Sequence, residues 1–139
     1  MKVSLNLEKN MKFKGISTDG HITHFDSHKE VGGDDSAATP MEVLLQSMAA
    51  CTSMDVVSIL RKKRRTVEAF DVLIDGERKD VHPRTFSKVH LKFILKSPDA
   101  ELKDLNRAVE LSQTTYCGAA AMFRAAGCEI TYETEIINT

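Results

Sequence analysis

Apolar and polar residues alternate through VSLNL (3–7) and FKGIS (13–17), and the two-residue period returns in HITHF (21–25). The opening of the chain therefore reads as three short strands. Asp19-Gly20, just before HITHF, predicts a two-residue hairpin turn within a three-stranded meander. The period then breaks. VGGDDSAAT (31–39), rich in Gly, Asp and Ser, predicts a mobile loop. A helix start follows, with Thr39 as N-cap, Pro40 at the first helical position and Glu42 at the third, as in a capping box. From Pro40 to about Arg64 there is no other Gly or Pro, and nearly every face is apolar or small until the basic end. That pattern predicts a long buried helix, roughly 37 Å at ~1.5 Å per residue. Such a helix should pass through the middle of the domain or through a core shared with a second copy.

Alternation resumes in VEAFDVLIDGERKD (67–80) and RTFSKVHLKFILKS (84–97), a second hairpin with its loop at Asp80 to Pro83. Beyond Asp99 and Glu101, Leu102, Leu105, Val109 and Leu111 recur at helical spacing. A break near Tyr116 to Gly118 leads into a second helix, AAAMFRAAG, and CEITYETEII closes the chain as a strand. The predicted class is α+β with the order βββ-α-ββ-αα-β.

With 139 residues, 42% of them hydrophobic, the chain can bury one core, so a single domain over 1–139 is expected. A formal net charge of −1 with both signs mixed gives no general field for nucleic acid or an anionic membrane, and neither is expected as a partner. No run of eighteen uninterrupted apolar residues and no signal peptide is visible, which points to a cytoplasmic location. RKKRR (61–65) reads as the exposed end of the long helix complementing its dipole, with phosphate contact as the alternative. His21, His24 and His28 lie close together, but His21 and His24 point to opposite faces of a strand, so a polar edge is favoured over metal binding.

Three cysteines remain, none in a CxxC or close Cys/His pattern that would suggest zinc. Cys51, in the most apolar helix, is either an inert core thiol or a reactive one. Cys117 stands just before a helix, where free N–H groups and the positive dipole end favour thiolate and lower the pKa; the alternative is a small residue at a tight corner. Cys128 opens the last strand and is expected to be structural. A peroxide-reducing thiol needs a thiolate, a cation or donor to hold it ionised, and often a second thiol to resolve the sulfenic acid. Cys51 and Cys117 can supply the first and the last.

TPMEVLLQSMAACTSMD (39–55) resembles the signature helix of the OsmC/Ohr superfamily, and TTYCGAAAMF (114–123) resembles the segment carrying its second cysteine. The resemblance extends along the whole chain, including HPRTFSKVHLKFIL, and is greatest to the YhfA-like branch. It implies an intertwined homodimer with the long helices at its centre. It also implies reduction of organic hydroperoxides or hydrogen peroxide, with Cys51 at the peroxidatic position, Cys117 at the resolving one, no cofactor and an external thiol reductant. The family's peroxidases add an arginine from the N-terminal half and a glutamate directly after the proline. Here no arginine precedes Arg61, and Met41 holds the glutamate position. Glu42, one residue on and turned by about 100°, is expected to be a capping residue, and Arg84 is a candidate substitute for the arginine. Without that arginine, Cys51 is expected to react slowly. The rival expectation is a non-catalytic dimer that holds a small apolar ligand between subunits near Cys51.

Overall fold

A computed structural model describes residues 1–139. In chain order it contains β1 (Ser4–Lys9), β2 (Lys12–Ile16), β3 (Ile22–Phe25), α1 (Pro40–Lys62), β4 (Ala69–Arg78), β5 (Phe86–Ser97), α2 (Leu102–Leu111), α3 (Gly118–Ala125) and β6 (Glu129–Asn138). One turn of π-helix, Ser112–Tyr116, joins α2 to Cys117. The α+β class and the expected element order hold. Two compact units divide the chain, residues 1–44 and 45–139.

In the first unit β1, β2 and β3 form an antiparallel meander in that order. The turn between β2 and β3 is three residues long, not two. Gly20 N donates to Ser17 O at 3.0 Å, Ser17 N donates to His21 O at 2.9 Å, and Gly20 takes the left-handed conformation at φ +86°. A type I turn followed by a left-handed glycine closes such a loop, so Asp19-Gly20 supplies its last two positions. The Gly/Asp/Ser segment after β3 is tied down in part by a buried carboxylate. Asp26 is 2% exposed, and its carboxylate accepts from Ser27 N (2.8 Å), Ser36 N (3.0 Å) and Ser36 Oγ (2.6 Å). Those donors, led by the Ser36 hydroxyl, hold its pKa down at about 2.

In the second unit β4, β5 and β6 form a sheet with β5 in the centre, antiparallel to β4 and parallel to β6. A parallel neighbour requires a crossover, which α2 and α3 provide. Alternation along β5 explains its two faces: Val89, Leu91, Phe93 and Leu95 are at most 1% exposed. On the opposite face Lys92 pairs with Glu133 (3.6 Å) and Glu135 (2.7 Å) of β6. Phe86 of β5 stacks on Phe123 of α3, with centroids 5.7 Å apart.

α1 is long and apolar enough to cross a membrane by length and composition alone. In this fold Met48, Ala49, Thr52, Val56 and Leu60 form a buried stripe at helical spacing, as a core helix requires. Its outer side stays open within the chain, where Met54 is 72% exposed. The helix ends with Arg65 N bonded to Leu60 O (3.0 Å) and Arg64 N to Arg61 O (2.9 Å), with Arg64 left-handed at φ +59°. The basic run does more than complement the helix dipole. Lys63 Nζ lies 3.5 Å from Asp104 Oδ1 and Arg65 Nε 2.9 Å from Asp104 Oδ2, while Arg65 Nη1 donates to Asp99 O (2.9 Å).

Candidate functional site

The site is built where α1 meets the α2–α3 corner. α2 does not stop at Leu111; its winding widens into the π turn, closed by Cys117 N donating to Ser112 O at 2.8 Å. Such insertions into helices recur at functional sites. The turn sets Cys117 at the N-cap of α3, where its sulfur accepts from Ala120 N at 3.3 Å. Ser112 Oγ donates to Asp55 Oδ2 (2.8 Å), which fastens the turn to α1.

Cys51 and Cys117 are free thiols, Cys51 half-buried and Cys117 buried. The structure sets Cys117 Sγ against the turn of α1 that carries Cys51, 3.1 Å from Thr52 Oγ1 and 3.9 Å from Met48 O, and Cys51 is near enough to raise the Cys117 pKa. Thr52, the residue after Cys51, is fully buried, and its hydroxyl donates to Cys117 Sγ at 3.1 Å. Behind it Gln113 Nε2 donates to Thr52 Oγ1 at 2.9 Å. Arg124 clasps the same glutamine, Nη2 donating to Oε1 and Nη1 to the backbone oxygen, each at 2.7 Å. A guanidinium thus reaches the buried thiol through two side chains.

Burial pushes the Cys117 thiol up from its ordinary value; the Thr52 hydroxyl and the Ala120 N–H pull it down, and Cys51 adds to the rise. The lowering expected from the helix N-terminus is therefore present but outweighed by desolvation. Cys128 is also buried, which raises its pKa.

Glu42 and Arg84 are engaged elsewhere. Glu42 Oε2 accepts from Thr39 N (2.7 Å) and Thr39 Oγ1 (3.0 Å), and Glu42 N donates back to Thr39 Oγ1 (3.3 Å). That is the capping box its position suggests, and the donors from Thr39 lower its pKa. Arg84 Nε donates to Lys79 O at 3.3 Å inside the β4–β5 loop. The histidines also part company: His24 Nδ1 lies 3.5 Å from Glu8, and His28 Nδ1 lies 3.0 Å from Asp35, which raises the His28 pKa.

Thr52, Gln113 and Arg124 were not singled out from the sequence. Thr52 adjoins Cys51, and Gln113 stands one helical turn before Cys117; adjacency to the two thiols is the only signal either carries.

Comparison with known proteins matches residues 33–133 to the family model described as OsmC-like protein. Protein YhfA of Escherichia coli (strain K12) is 34% identical over 137 residues, covering 99% of this chain and 98% of that one. Among solved structures, a hypothetical protein from Aquifex aeolicus VF5 superposes with a TM-score of 0.81 at 28% identity, over 99% of this chain and 97% of the other. An organic hydroperoxide resistance protein OsmC from Legionella pneumophila shares the fold with a TM-score of 0.68 at 13% identity, over 98% and 96% of the two chains.

Proposed function

This chain belongs to the OsmC-like family, with YhfA among its relatives, and on that premise we propose that it is a cytoplasmic, homodimeric thiol peroxidase that reduces organic hydroperoxides or hydrogen peroxide through Cys51 and Cys117. The observation that carries this reading is that the buried Cys117 thiol lies 3.1 Å from the hydroxyl of Thr52, the residue next to the half-buried free thiol Cys51, at a corner organised by hydrogen bonds to the buried sulfur. Neighbours in the fold described as organic hydroperoxide resistance proteins support the substrate class.

In the proposed cycle the more accessible Cys51 thiolate attacks one peroxide oxygen. An S–O bond forms, the O–O bond breaks, and the alkoxide or hydroxide leaves and takes a proton. Cys117 then attacks the Cys51 sulfenic acid; the S–S bond forms, the S–O bond breaks, and the oxygen departs as water. An external thiol returns two electrons and two protons through a mixed disulfide, attacking the accessible Cys51 sulfur and releasing Cys117.

The open side of α1 supports the dimer. Ser53, Met54, Val57 and Phe70 line a groove of about 670 Å³ there, and a second α1 is the apolar surface of matching length that would cover it. The same groove favours a second reading, a non-catalytic dimer that holds a small apolar ligand between subunits, as does the lack of any arginine before Arg61.

Peroxide consumption with a dithiol reductant separates the two. The enzyme reading expects turnover by the native chain, none by Cys51→Ser, and turnover by Cys117→Ser reduced or dependent on excess reductant. Equal background rates in all three leave the binding module.

A further inference from the structure

Every hydrogen bond between Arg124 and Cys117 has a fixed sense. A guanidinium can only donate, so the two bonds from Arg124 require oxygen at Gln113 Oε1 and at the Gln113 backbone. The amide nitrogen of Gln113 must then face Thr52, and the hydroxyl that receives it at 2.9 Å has its single hydrogen left for Cys117 Sγ at 3.1 Å. Ala120 N–H arrives at the same sulfur from the first turn of α3. Two donors therefore converge on Sγ, one of them polarised by a cation two side chains away, against a single long contact in which the sulfur donates, to Met48 O at 3.9 Å. Donors aimed at sulfur favour its anion, and aligned hydrogen bonds strengthen one another in a poorly solvated site.

We propose that Arg124, Gln113 and Thr52 are positioning residues which reduce the cost of forming a thiolate at the buried Cys117 Sγ, serving it as attacking group on oxidised Cys51 and as leaving group when the disulfide is reduced. The proposal rests on the peroxidase reading and deepens it by assigning the work of the absent N-terminal arginine to a different cation, directed at the other sulfur. Resolution and reduction both pass through a Cys117 thiolate: it forms the S–S bond as the sulfenic oxygen leaves as water, and it departs when the external thiol bonds to Cys51 Sγ. A leaving thiol of lower pKa departs faster. Burial opposes both steps, because it disfavours the anion at Cys117, and the Thr52 and Ala120 donors offset part of that opposition.

The test is a titration of Cys117 by ultraviolet thiolate absorbance in a Cys51→Ser/Cys128→Ala background, where it is the one remaining thiol. Thr52→Val and Gln113→Leu are each expected to raise the ionisation midpoint by about one pH unit, about tenfold in the acid constant, the size of one hydrogen bond to a charged group. Thr52→Ser, which keeps the hydroxyl, should titrate with the parent. Midpoints for Thr52→Val and Gln113→Leu that coincide with the parent's, in variants whose circular dichroism is unchanged, overturn the proposal. Should Thr52→Val not fold, Gln113→Leu and Arg124→Met decide by the same criterion. No peroxide enters this titration, so unshifted midpoints leave the peroxidase reading standing. Conversely, shifted midpoints in a protein inert towards peroxide keep the positioning chain and remove the peroxidase.

Discussion

The Thr52 hydroxyl accepts a hydrogen bond from Gln113 Nε2 at 2.9 Å and donates one to Cys117 Sγ at 3.1 Å. It thereby links α1 to the π turn and to the start of α3 at a point with no access to water. Replacing it with valine keeps the shape and strands the glutamine N–H. Thr52→Val should lower stability by roughly 1–3 kcal/mol, the range for leaving a buried donor unsatisfied, and Thr52→Ser by much less. Chemical denaturation of the two variants beside the parent checks this.

Asp26 gives the first unit a pH-dependent tie. Its folded pKa lies at about 2 against an ordinary value of 3.8, so its contribution is complete above the ordinary value and is lost as pH falls towards the folded one. Asp26→Asn should therefore melt below the parent at neutral pH, with the gap narrowing below about pH 4 and closing near pH 2. Thermal melts across that range measure it; a gap independent of pH would contradict the assignment.

The basic run at the end of α1 is anchored through Asp104, whose side chain is 8% exposed between Lys63 and Arg65. Burial raises its pKa, but the backbone donor of Glu101 and the two cations outweigh that, and the net direction is down. Asp104→Asn keeps the volume and removes the counter-charge. The expected loss is about 2 kcal/mol, more than an exposed pair would give, because two cations are left beside a buried neutral group. Denaturation midpoints in low and high salt separate this from a screened surface effect.

Periodicity made most of this fold legible. Val89, Leu91, Phe93 and Leu95 against Lys88, His90 and Lys92 define both faces of β5, and Thr39, Pro40 and Glu42 mark the start of α1. The β2–β3 loop was placed correctly but one residue short, because Asp-Gly suits both a two-residue turn and the end of a three-residue one. The two thiols were visible as residue types in helical settings. The chain behind them was not, because Thr52, Gln113 and Arg124 lie on α1, the π turn and α3, and no local pattern links them. For the same reason Cys117 was expected to have a lowered pKa: the helix start can be read from sequence, whereas the burial that overrides it depends on how α1 packs.

The open side of α1 yields a prediction about assembly. Met54 lines the groove beside Val57 and Phe70 and is 72% exposed in the single chain. Under the dimer proposal Met54→Glu places a charge in the shared core, so the parent should sediment as two chains and the variant as one chain of 15.5 kDa. Sedimentation velocity at several concentrations reports this, and a monomeric parent would contradict the dimer.

The redox pairing of Cys51 with Cys117 is tested most directly by peptide mapping after one equivalent of hydroperoxide, with the protein digested under non-reducing conditions. The account predicts a cross-linked peptide containing Cys51 and Cys117, two hydrogens lighter than its parts, with Cys128 still a free thiol. Cys51 advancing to sulfinic acid while Cys117 stays reduced, or no oxidation at either residue, would contradict it.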